Sequence, residues 1–226
     1  MCMPYRITPL VPGEIYHIFN RSIARQLIFK NKKDYQRIVD VINFYRFSKL
    51  PLRYSHYNRL SKDHRNKFNK DYLINNKPML NIVAYCIMPN HFHFLLQPFL
   101  KNAVSDFMRN IQNSYSKYYN TKYERTGSLF QSMFKAVRIE TNDQLLHVCR
   151  YIHLNPVTAY LLEIDILERY PWSSFRDYLF GDEDYSLVNP EIVLNQFKSR
   201  KAYKKFIFDQ EEYQRELYRI KHLALE

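Results

Sequence analysis

Clusters of apolar residues with β-branched and aromatic side chains predict four strands. The segment EIYHIFNRSI at 14–23 predicts the first strand, and SLFQSMFKAVRIE at 128–140 predicts the last. Between them, NIVAYCIMP at 81–89 and HFHFLLQPF at 91–99 are two compact apolar runs joined at Pro89-Asn90, a turn-forming pair. These two runs therefore predict an antiparallel β-hairpin.

Apolar residues recur at helical spacing in three further segments. Residues 31–49 and 101–123 each carry apolar positions three or four residues apart, as one face of a helix requires. A third helix is expected to begin at Thr141, which is followed three residues later by Gln144 in a capping-box pattern, and to run until Pro156. Strands and helices thus follow the order β, α, β, β, α, β, α.

This order predicts an α+β fold of the ferredoxin-like or RRM-like type, in which one central antiparallel sheet has helices on one face. We assign residues 1–181 to this domain, with a basic insertion at about 46–78, and residues 182–226 to a C-terminal helical tail. The other face of such a sheet is free, and nucleic-acid binders and phosphodiester-cutting enzymes both use it. The fold alone therefore does not decide the function.

The charge of the chain indicates a polyanionic partner. Its 226 residues include 34 Lys and Arg against 22 Asp and Glu, a net charge of +12, so nucleic acid is the first expectation. Residues 46–71 alone hold eight basic and two acidic residues. This segment is either a solvated loop or an insertion that contacts nucleic acid, and we favour the second. The 20 tyrosines suit stacking on unpaired bases, but core packing explains them equally well.

Cysteine content and hydropathy argue against several other classes. The three cysteines are scattered and form no C-x-x-C pair, which speaks against a disulfide framework and a cysteine zinc site and favours a reducing compartment. The N-terminal sequence lacks the apolar stretch of a signal peptide, and no apolar run approaches the roughly 18 residues that span a membrane. We therefore expect a soluble, cytoplasmic protein.

Two histidines in the hairpin are candidates for a metal site. His91 and His93 are two residues apart in a predicted strand, so both side chains project from one face while Phe92 and Phe94 face the core. The H-x-H pattern is weak on its own, because an exposed polar face on a half-buried strand produces the same spacing. A metal site needs a further ligand from elsewhere in the chain.

The third predicted helix offers such a ligand. His147, Tyr151 and Asn155 are spaced i, i+4 and i+8, so they lie along one stripe of the helix. A tyrosine and an asparagine on this stripe suit a nucleophile and a metal ligand. Packing of the stripe, with Asn155 as a helix-stop residue before Pro156, is the competing explanation.

Four motifs together resemble those of the single-tyrosine HUH transposases, and are most similar to the branch that contains the REP-associated tyrosine transposases. They stand in the expected order within residues 12–181: AYCIMPNHFHFLLQP, RTGSLFQSMFKAVRIE, LLHVCRYIHLNPVTAYL and YPWSSFRDYLFG. The resemblance implies that His91, His93 and Asn155 bind a metal and that Tyr151 is the nucleophile. Asn155 fits this branch, because the insertion-sequence branch has glutamine at the corresponding position.

The resemblance also implies a reaction. A divalent ion, Mg²⁺ or Mn²⁺, would orient and polarise the scissile phosphate. The tyrosine would then form a 5′-phosphotyrosine with single-stranded DNA next to a REP-like hairpin, and a free 3′-hydroxyl would reverse the step during strand transfer. No nucleotide cofactor and no membrane partner are expected. Family members commonly work as dimers, so we expect a homodimer associated with the bacterial nucleoid.

Two alternatives stay open from the sequence. The first is a non-catalytic protein that binds DNA hairpins and derives from a transposase. The second is a metallophosphodiesterase that activates water and forms no covalent intermediate. Both would use the same sheet.

Several aromatic residues near the candidate site compete for its roles. Tyr115, Tyr118 and Tyr119 on the second helix are rival nucleophiles, with core packing or base stacking as the favoured explanation. His147 is a candidate proton acceptor, although packing is favoured for it too. His153 is expected to point away from the stripe.

Basic residues in the second half of the domain are the predicted DNA contacts. These seven are Arg109, Lys117, Lys122, Arg125, Lys135, Arg138 and Arg150. Phosphate contacts of this kind give affinity and salt dependence without sequence preference. Arg138 and Arg150 are also candidates to assist the tyrosine nucleophile.

Overall fold

A four-stranded antiparallel sheet forms the centre of the computed structural model, which describes residues 9–74, 76–181 and 187–209. Its strands are β1 (Ile15–Arg21), β2 (Leu80–Met88), β3 (His91–Pro98) and β4 (Lys135–Ile139). They lie in the order β2-β3-β1-β4, and all neighbours are antiparallel. The predicted hairpin is confirmed, whereas the last strand is shorter than the sequence pattern indicated.

Helices connect the strands and follow them. They are α1 (Lys32–Tyr45), α2 (Tyr54–Tyr57), α3 (Lys62–Phe68), α4 (Ala103–Lys122), α5 (Asn142–Thr158), α6 (Phe175–Phe180), α7 (Glu191–Leu194) and α8 (Arg200–Phe208). The order β1-α1-β2-β3-α4-β4 with this sheet order is the ferredoxin-like arrangement, so the predicted α+β class is confirmed. In the described part of the chain, no helix has the length and apolar composition needed to cross a bilayer.

Both faces of the sheet carry helices, which corrects the prediction of helices on one face only. Phe94 contacts Phe107 of α4, with ring centroids 5.8 Å apart, so α4 covers the face that bears Phe92 and Phe94. We call this the phenylalanine face, and α1 packs beside α4 on it. The opposite, histidine face bears His91 and His93, and α5 lies across part of it.

Helix α5 continues past the proline that was expected to end it. It runs through Pro156 to Thr158 because a proline so close to the end removes only one i to i−4 hydrogen bond. The N–H of Ala159 then donates to Asn155 O at 3.0 Å and closes the last turn. Asn155 is therefore a buried helical residue and not a helix-stop residue.

The predicted capping pattern at the start of α5 is confirmed. Oγ1 of Thr141 accepts a hydrogen bond from the backbone N–H of Gln144 at 3.2 Å. The side chain of Gln144 reaches back one residue further than a capping box requires and accepts from the N–H of Glu140 at 2.8 Å. Both bonds fix where the helix that carries Tyr151 begins.

The basic segment is folded, although its sequence has poor periodicity. Helices α2 and α3 and a short π-helix (Asn69–Ile74) pack on one another through aromatic rings. Phe44 of α1 lies at the centre of these contacts, with Tyr54 and Phe68 at centroid distances of 5.4 and 5.9 Å. Aromatic side chains of the segment thus join the hydrophobic core, while Lys49, Arg53 and Arg59 stay exposed.

The described part of the C-terminal tail packs onto the same core. Tyr203 and Ile207 of α8 are fully buried there. The division of the chain at residue 181 stays a prediction, as does the helix expected within residues 210–226, which lie outside the described residues.

A buried network of neutral hydrogen bonds, centred on His153, holds α5 on the side away from Tyr151. Nε2 of His153 lies 2.8 Å from Oγ of Ser174, and that hydroxyl donates to Tyr85 O at 3.2 Å. The histidine therefore donates from Nε2 and accepts at Nδ1 from the hydroxyl of Tyr203, 2.7 Å away. Burial lowers the pKa of His153 to about 3, so its ring is neutral near pH 7.

The free energy of unfolding should fall as the pH drops below the ordinary histidine pKa. In the unfolded chain the pKa of His153 is about 6.5. Between pH 6.5 and about pH 3, therefore, the imidazole binds a proton in the unfolded state and not in the folded state. The stabilisation by the neutral ring is complete above this window and decreases within it by about 1.4 kcal/mol per pH unit. Urea unfolding from pH 7.5 to pH 4.5 should give a shallower slope for His153→Gln than for wild type, and equal slopes would contradict the assignment.

Candidate active site

The histidine face brings together side chains from strands β1 and β3. In the β1–β3 pairing, Phe19 lies opposite His93 and Arg21 lies opposite His91, so all four share this face. His17 is two residues before Phe19 and projects to the same side. Its Nε2 lies 2.9 Å from Nδ1 of His93, a hydrogen bond between two imidazoles.

His17 and Arg21 are the residues that the sequence reasoning missed. Tyr16 and Ile18 are fully buried, and this alternation along β1 places His17 between them on the opposite face. The alternation was visible in the sequence as IYHIFNR. The pairing register of β1 with β3, which brings His17 next to His93, could not be predicted from the sequence.

Hydrogen bonds around His91 determine which of its nitrogens carries the proton. Nδ2 of Asn90 donates to Arg25 O at 3.0 Å, so the amide oxygen of Asn90 is the atom that faces His91. That oxygen lies 2.6 Å from Nδ1 of His91, which must therefore donate. In the neutral ring the lone pair is consequently on Nε2, the arrangement of a metal-ligating histidine with its other nitrogen bound to a carbonyl oxygen.

Helix α5 places Tyr151 against the paired histidines. The ring of Tyr151 stands nearly perpendicular to that of His93, with centroids 5.3 Å apart, and its centroid is 5.9 Å from that of His17. Asn155, one helical turn further on, donates from Nδ2 to Tyr151 O at 2.8 Å. Because its nitrogen is committed to the helix, the amide oxygen is the atom of Asn155 that can act as a ligand.

The candidate metal ligands are two imidazole nitrogens and one amide oxygen, a combination that is compatible with a divalent metal. Among the described residues, no cluster of three or more histidine, cysteine, aspartate or glutamate side chains could hold a metal. The rings of His91 and His93 are 5.1 Å apart, so they supply two nitrogens, and the Asn155 amide would supply an oxygen. Mixed nitrogen and oxygen ligation suits Mn²⁺ and Mg²⁺, with substrate oxygens completing the coordination.

Two of the predicted DNA contacts differ from expectation in their surroundings. Arg138 lies opposite Tyr16, on the other face of the sheet from the histidines, and its guanidinium pairs with Glu14 at 2.8 Å. Arg150 is buried, with its guanidinium 3.4 Å from the ring centroid of Phe206 on α8. Neither placement supports a role beside Tyr151, because both side chains lie away from the histidine face.

Lys135 has the placement that Arg138 lacks. In the β1–β4 pairing it lies opposite Phe19, so it shares the histidine face. It is exposed at the end of β4. Lys135 and Arg21 are therefore the cations that the sheet itself contributes to this face.

The other predicted DNA contacts lie on the helix layer, on the far side of the sheet. They are Arg109, Lys117, Lys122 and Arg125, on α4 or just after it. Arg109 pairs with Asp106 at 2.8 Å. Lys122 pairs with the buried Asp34 at 2.5 Å, and this contact ties α4 to α1. These residues cannot surround the same phosphate as Lys135.

The rival tyrosines are structural. Tyr115 is fully buried on the phenylalanine side, its hydroxyl donates to Ile28 O at 2.6 Å, and burial raises its pKa far above the ordinary value. Tyr119 donates to Leu27 O at 3.1 Å, and Tyr118 donates to Asp34 at 2.9 Å. All three hydroxyls serve the core or the α1–α4 contact, as the favoured explanation held.

The two histidines that flank Tyr151 in sequence are separated by the fold. His147 is exposed on α5, so the packing role favoured for it is wrong. His153 points away from Tyr151 into the buried network described above, as expected.

Part of the chain resembles known transposases in sequence, and its fold resembles that of a solved transposase. Residues 53–155 match the family model described as Transposase IS200 like. None of the curated proteins matches the chain. A solved structure of a REP-associated tyrosine transposase bound to a REP hairpin has a TM-score of 0.55 and 18% sequence identity, over 82% of this chain and 92% of that chain. A candidate transposase from Deinococcus radiodurans R1 gives a TM-score of 0.37 and 13% identity, over 67% of this chain and 95% of that chain.

The matched region contains the proposed metal ligands and the proposed nucleophile. It spans the hairpin with His91 and His93 and reaches along α5 to Tyr151 and Asn155, although β1 with His17 lies outside it. The likeness to the hairpin-bound transposase concerns the fold. With the H-x-H strand and the tyrosine helix both inside the match, residues 53–155 resemble a transposase domain of the IS200-like type.

Proposed function

We propose that this protein is a metal-dependent, single-tyrosine DNA endonuclease and strand transferase in which Tyr151 is the nucleophile. The observation that carries the proposal is the packing of Tyr151 against His93 and His17, at the strand that also bears His91. Tyr115, which serves the core, is fully buried and uses its hydroxyl to bind the backbone carbonyl of Ile28. The ring of Tyr151 packs against two imidazoles instead.

His91, His93 and Asn155 would hold Mg²⁺ or Mn²⁺ in this proposal. The bound ion would polarise the scissile phosphate and hold it in line with the tyrosine. Hydrogen bonds would orient both histidines before a metal binds, because Asn90 contacts His91 and His17 contacts His93. Arg21 and Lys135 add positive charge on the same face, where a phosphate would be bound.

The proposed reaction conserves the energy of the broken bond. Oη of Tyr151 attacks phosphorus and loses its proton to an acceptor, while the bond to the 3′ oxygen breaks and that oxygen takes up a proton. This leaves a free 3′-hydroxyl and a 5′-phosphotyrosine. Attack of a second 3′-hydroxyl on that ester releases the tyrosine and joins the new strand. Because tyrosine has an ordinary pKa of about 10, the reaction near pH 7 requires a group that accepts the tyrosine proton.

Single-stranded DNA flanked by a hairpin is the substrate that we propose. The fold relative was solved with a REP hairpin, and a hairpin presents both a duplex stem and unpaired strand for the histidine face to use. A homodimer and association with the nucleoid extend this proposal and follow from the family rather than from a contact in this chain. Binding without cleavage, in a transposase derivative, is the competing function.

The covalent intermediate gives the first test. Wild type incubated with labelled single-stranded hairpin DNA and Mn²⁺ should form an adduct that survives denaturing electrophoresis, and Tyr151→Phe should form none, because only the hydroxyl is lost. Tyr115→Phe is the matched control, since it removes a hydroxyl from a buried tyrosine outside the site, and it should keep wild-type adduct levels.

Three other outcomes would change the assignment. Cleavage without an adduct in wild type would identify water as the nucleophile. DNA binding without cleavage would support the non-catalytic alternative. An adduct that persists in Tyr151→Phe and disappears in Tyr115→Phe would identify Tyr115 of α4 as the nucleophile.

Removing a proposed ligand should separate catalysis from binding. We expect His91→Ala to lower cleavage below detection while DNA affinity stays within about tenfold of wild type, because affinity is spread over many phosphate contacts. His64→Ala, which truncates an exposed histidine of α3, should leave cleavage and affinity unchanged. A loss of affinity well above tenfold in His91→Ala would argue against a mainly catalytic role for this residue.

His17 is proposed as a positioning residue for His93. If Nδ1 of His93 donates to Nε2 of His17, then Nε2 of His93 carries the lone pair that a metal requires. His17→Phe keeps a ring at this position and removes the hydrogen bond, so Mn²⁺ affinity should fall by about tenfold or more. Titration with Mn²⁺ followed by electron paramagnetic resonance measures this without turnover. His64→Phe, at an exposed histidine of α3, is the control, and an unchanged affinity in His17→Phe would rule out the positioning role.

A further inference from the structure

A large basic cleft lies on the helix layer, remote from the histidine face. It has a volume of about 840 Å³ and is bounded by the start of the basic segment on one side and by the outer surface of α4 on the other. Helix α4 packs its inner surface on Phe94, so the cleft and the histidines are on opposite sides of the sheet. The proposed catalytic reaction makes no use of this cleft.

The charge of the cleft is strongly one-sided. Seven basic side chains line it, and Asp106 is the one acidic residue among the described residues that do so. Asp106 is engaged by Arg109, and Lys122 is engaged by Asp34 outside the cleft. Four further lysines and arginines of the lining form no ion pair with the part of the chain that the structure describes: Lys49, Arg53, Arg59 and Lys117. All four are exposed, so this charge is presented to solvent.

A rigid cation lies within the lining. The guanidinium of Arg37 stacks 4.4 Å from the ring centroid of Tyr54 and 5.1 Å from that of Tyr118. Its Nε is buried and has no hydrogen-bond partner among the described residues. An arginine held between two aromatic rings keeps its orientation, which reduces the entropy lost when it binds an anion.

The outer surface of α4 also presents neutral hydrogen-bond donors to the cleft. Asn110, Asn113 and Ser114 line it beside Lys117, and Thr121 follows one turn later. Amide and hydroxyl groups interspersed with lysine and arginine are the usual contacts of a phosphodiester backbone. A small anion would need only two or three of these groups, whereas the lining extends along several turns of the helix.

We propose that this cleft is a second DNA-binding site that holds the phosphodiester backbone of a strand outside the catalytic site. The identity of the polyanion as DNA rests on the proposed function, while the site itself rests on the charge and shape of the cleft. A strand bound at the histidine face reaches the cleft only by passing around an edge of the sheet. The strand is either unpaired DNA or one side of a hairpin stem, since both present the same phosphates.

Removing the exposed charge tests the proposal. The full-length triple variant Arg53→Gln, Arg59→Gln and Lys117→Gln lowers the charge of the cleft by three and alters no residue of the histidine face. The control variant Arg176→Gln, Lys198→Gln and Lys201→Gln removes the same charge from exposed positions outside the cleft lining. Dissociation constants are measured for a hairpin with flanking single strand and for the flank alone, at several salt concentrations.

The cleft variant should bind DNA about tenfold or more weakly than the control in low salt. Its plot of log affinity against log salt should be shallower by about 2 to 3, because each phosphate contact in duplex DNA contributes about 0.9 to the slope and each in a single strand about 0.7. A loss confined to the hairpin identifies the stem as the ligand, and a loss with both DNAs identifies the single strand.

Two results would overturn the proposal, and they are distinguishable. If wild type binds DNA and the cleft variant matches the control in affinity and salt slope, the cleft is not a DNA site and the proposed function is unaffected. If wild type binds neither DNA, the proposed function fails together with the cleft as a DNA site. Retention of an acidic polypeptide by wild type and the control variant, but not by the cleft variant, would in that case assign the cleft to a protein partner.

Discussion

The two-residue repeat of β3 is the constraint on which the rest of the structure depends. Successive side chains of a strand project to opposite faces, so His91 and His93 are separated by the thickness of the sheet from Phe92 and Phe94. The phenylalanines pack against the apolar surface of the α1 and α4 layer, while α5 lies across part of the polar face. A shift of register by one residue would bury the imidazoles under α4 and expose the rings, so the same pairing secures both the core and the site.

Local patterns in the sequence sufficed for the hairpin, the three long helices and the stripe of Tyr151 and Asn155 on α5. They failed where the outcome depends on contacts between distant segments. His17 joins the site through the β1–β3 register, and the guanidinium of Arg150 packs on Phe206, which lies more than fifty positions later in the chain. Neither relation leaves a periodic signal in the chain, since both arise from tertiary packing.

Elements outside the family match orient side chains that lie inside it. The match begins inside the basic segment and ends at Asn155, so it contains β2, β3, α4, β4 and most of α5. Strand β1 and helix α8 lie outside the matched residues. Strand β1 supplies the hydrogen-bond partner of His93, and α8 supplies Tyr203 to the network around His153. Both outer elements therefore fix the orientation of groups within the matched region.

The hydrogen-bonded burial of α5 also decides what can move during strand exchange. The helix that carries Tyr151 is anchored through His153 to Ser174 and Tyr203, and its apolar side is part of the core. A helix fixed in this way cannot swing out to a neighbouring molecule without opening the centre of its own domain. In the proposed reaction, therefore, the tyrosine stays in place with its attached 5′ end, and exchange of strands requires the DNA to be carried past a stationary nucleophile.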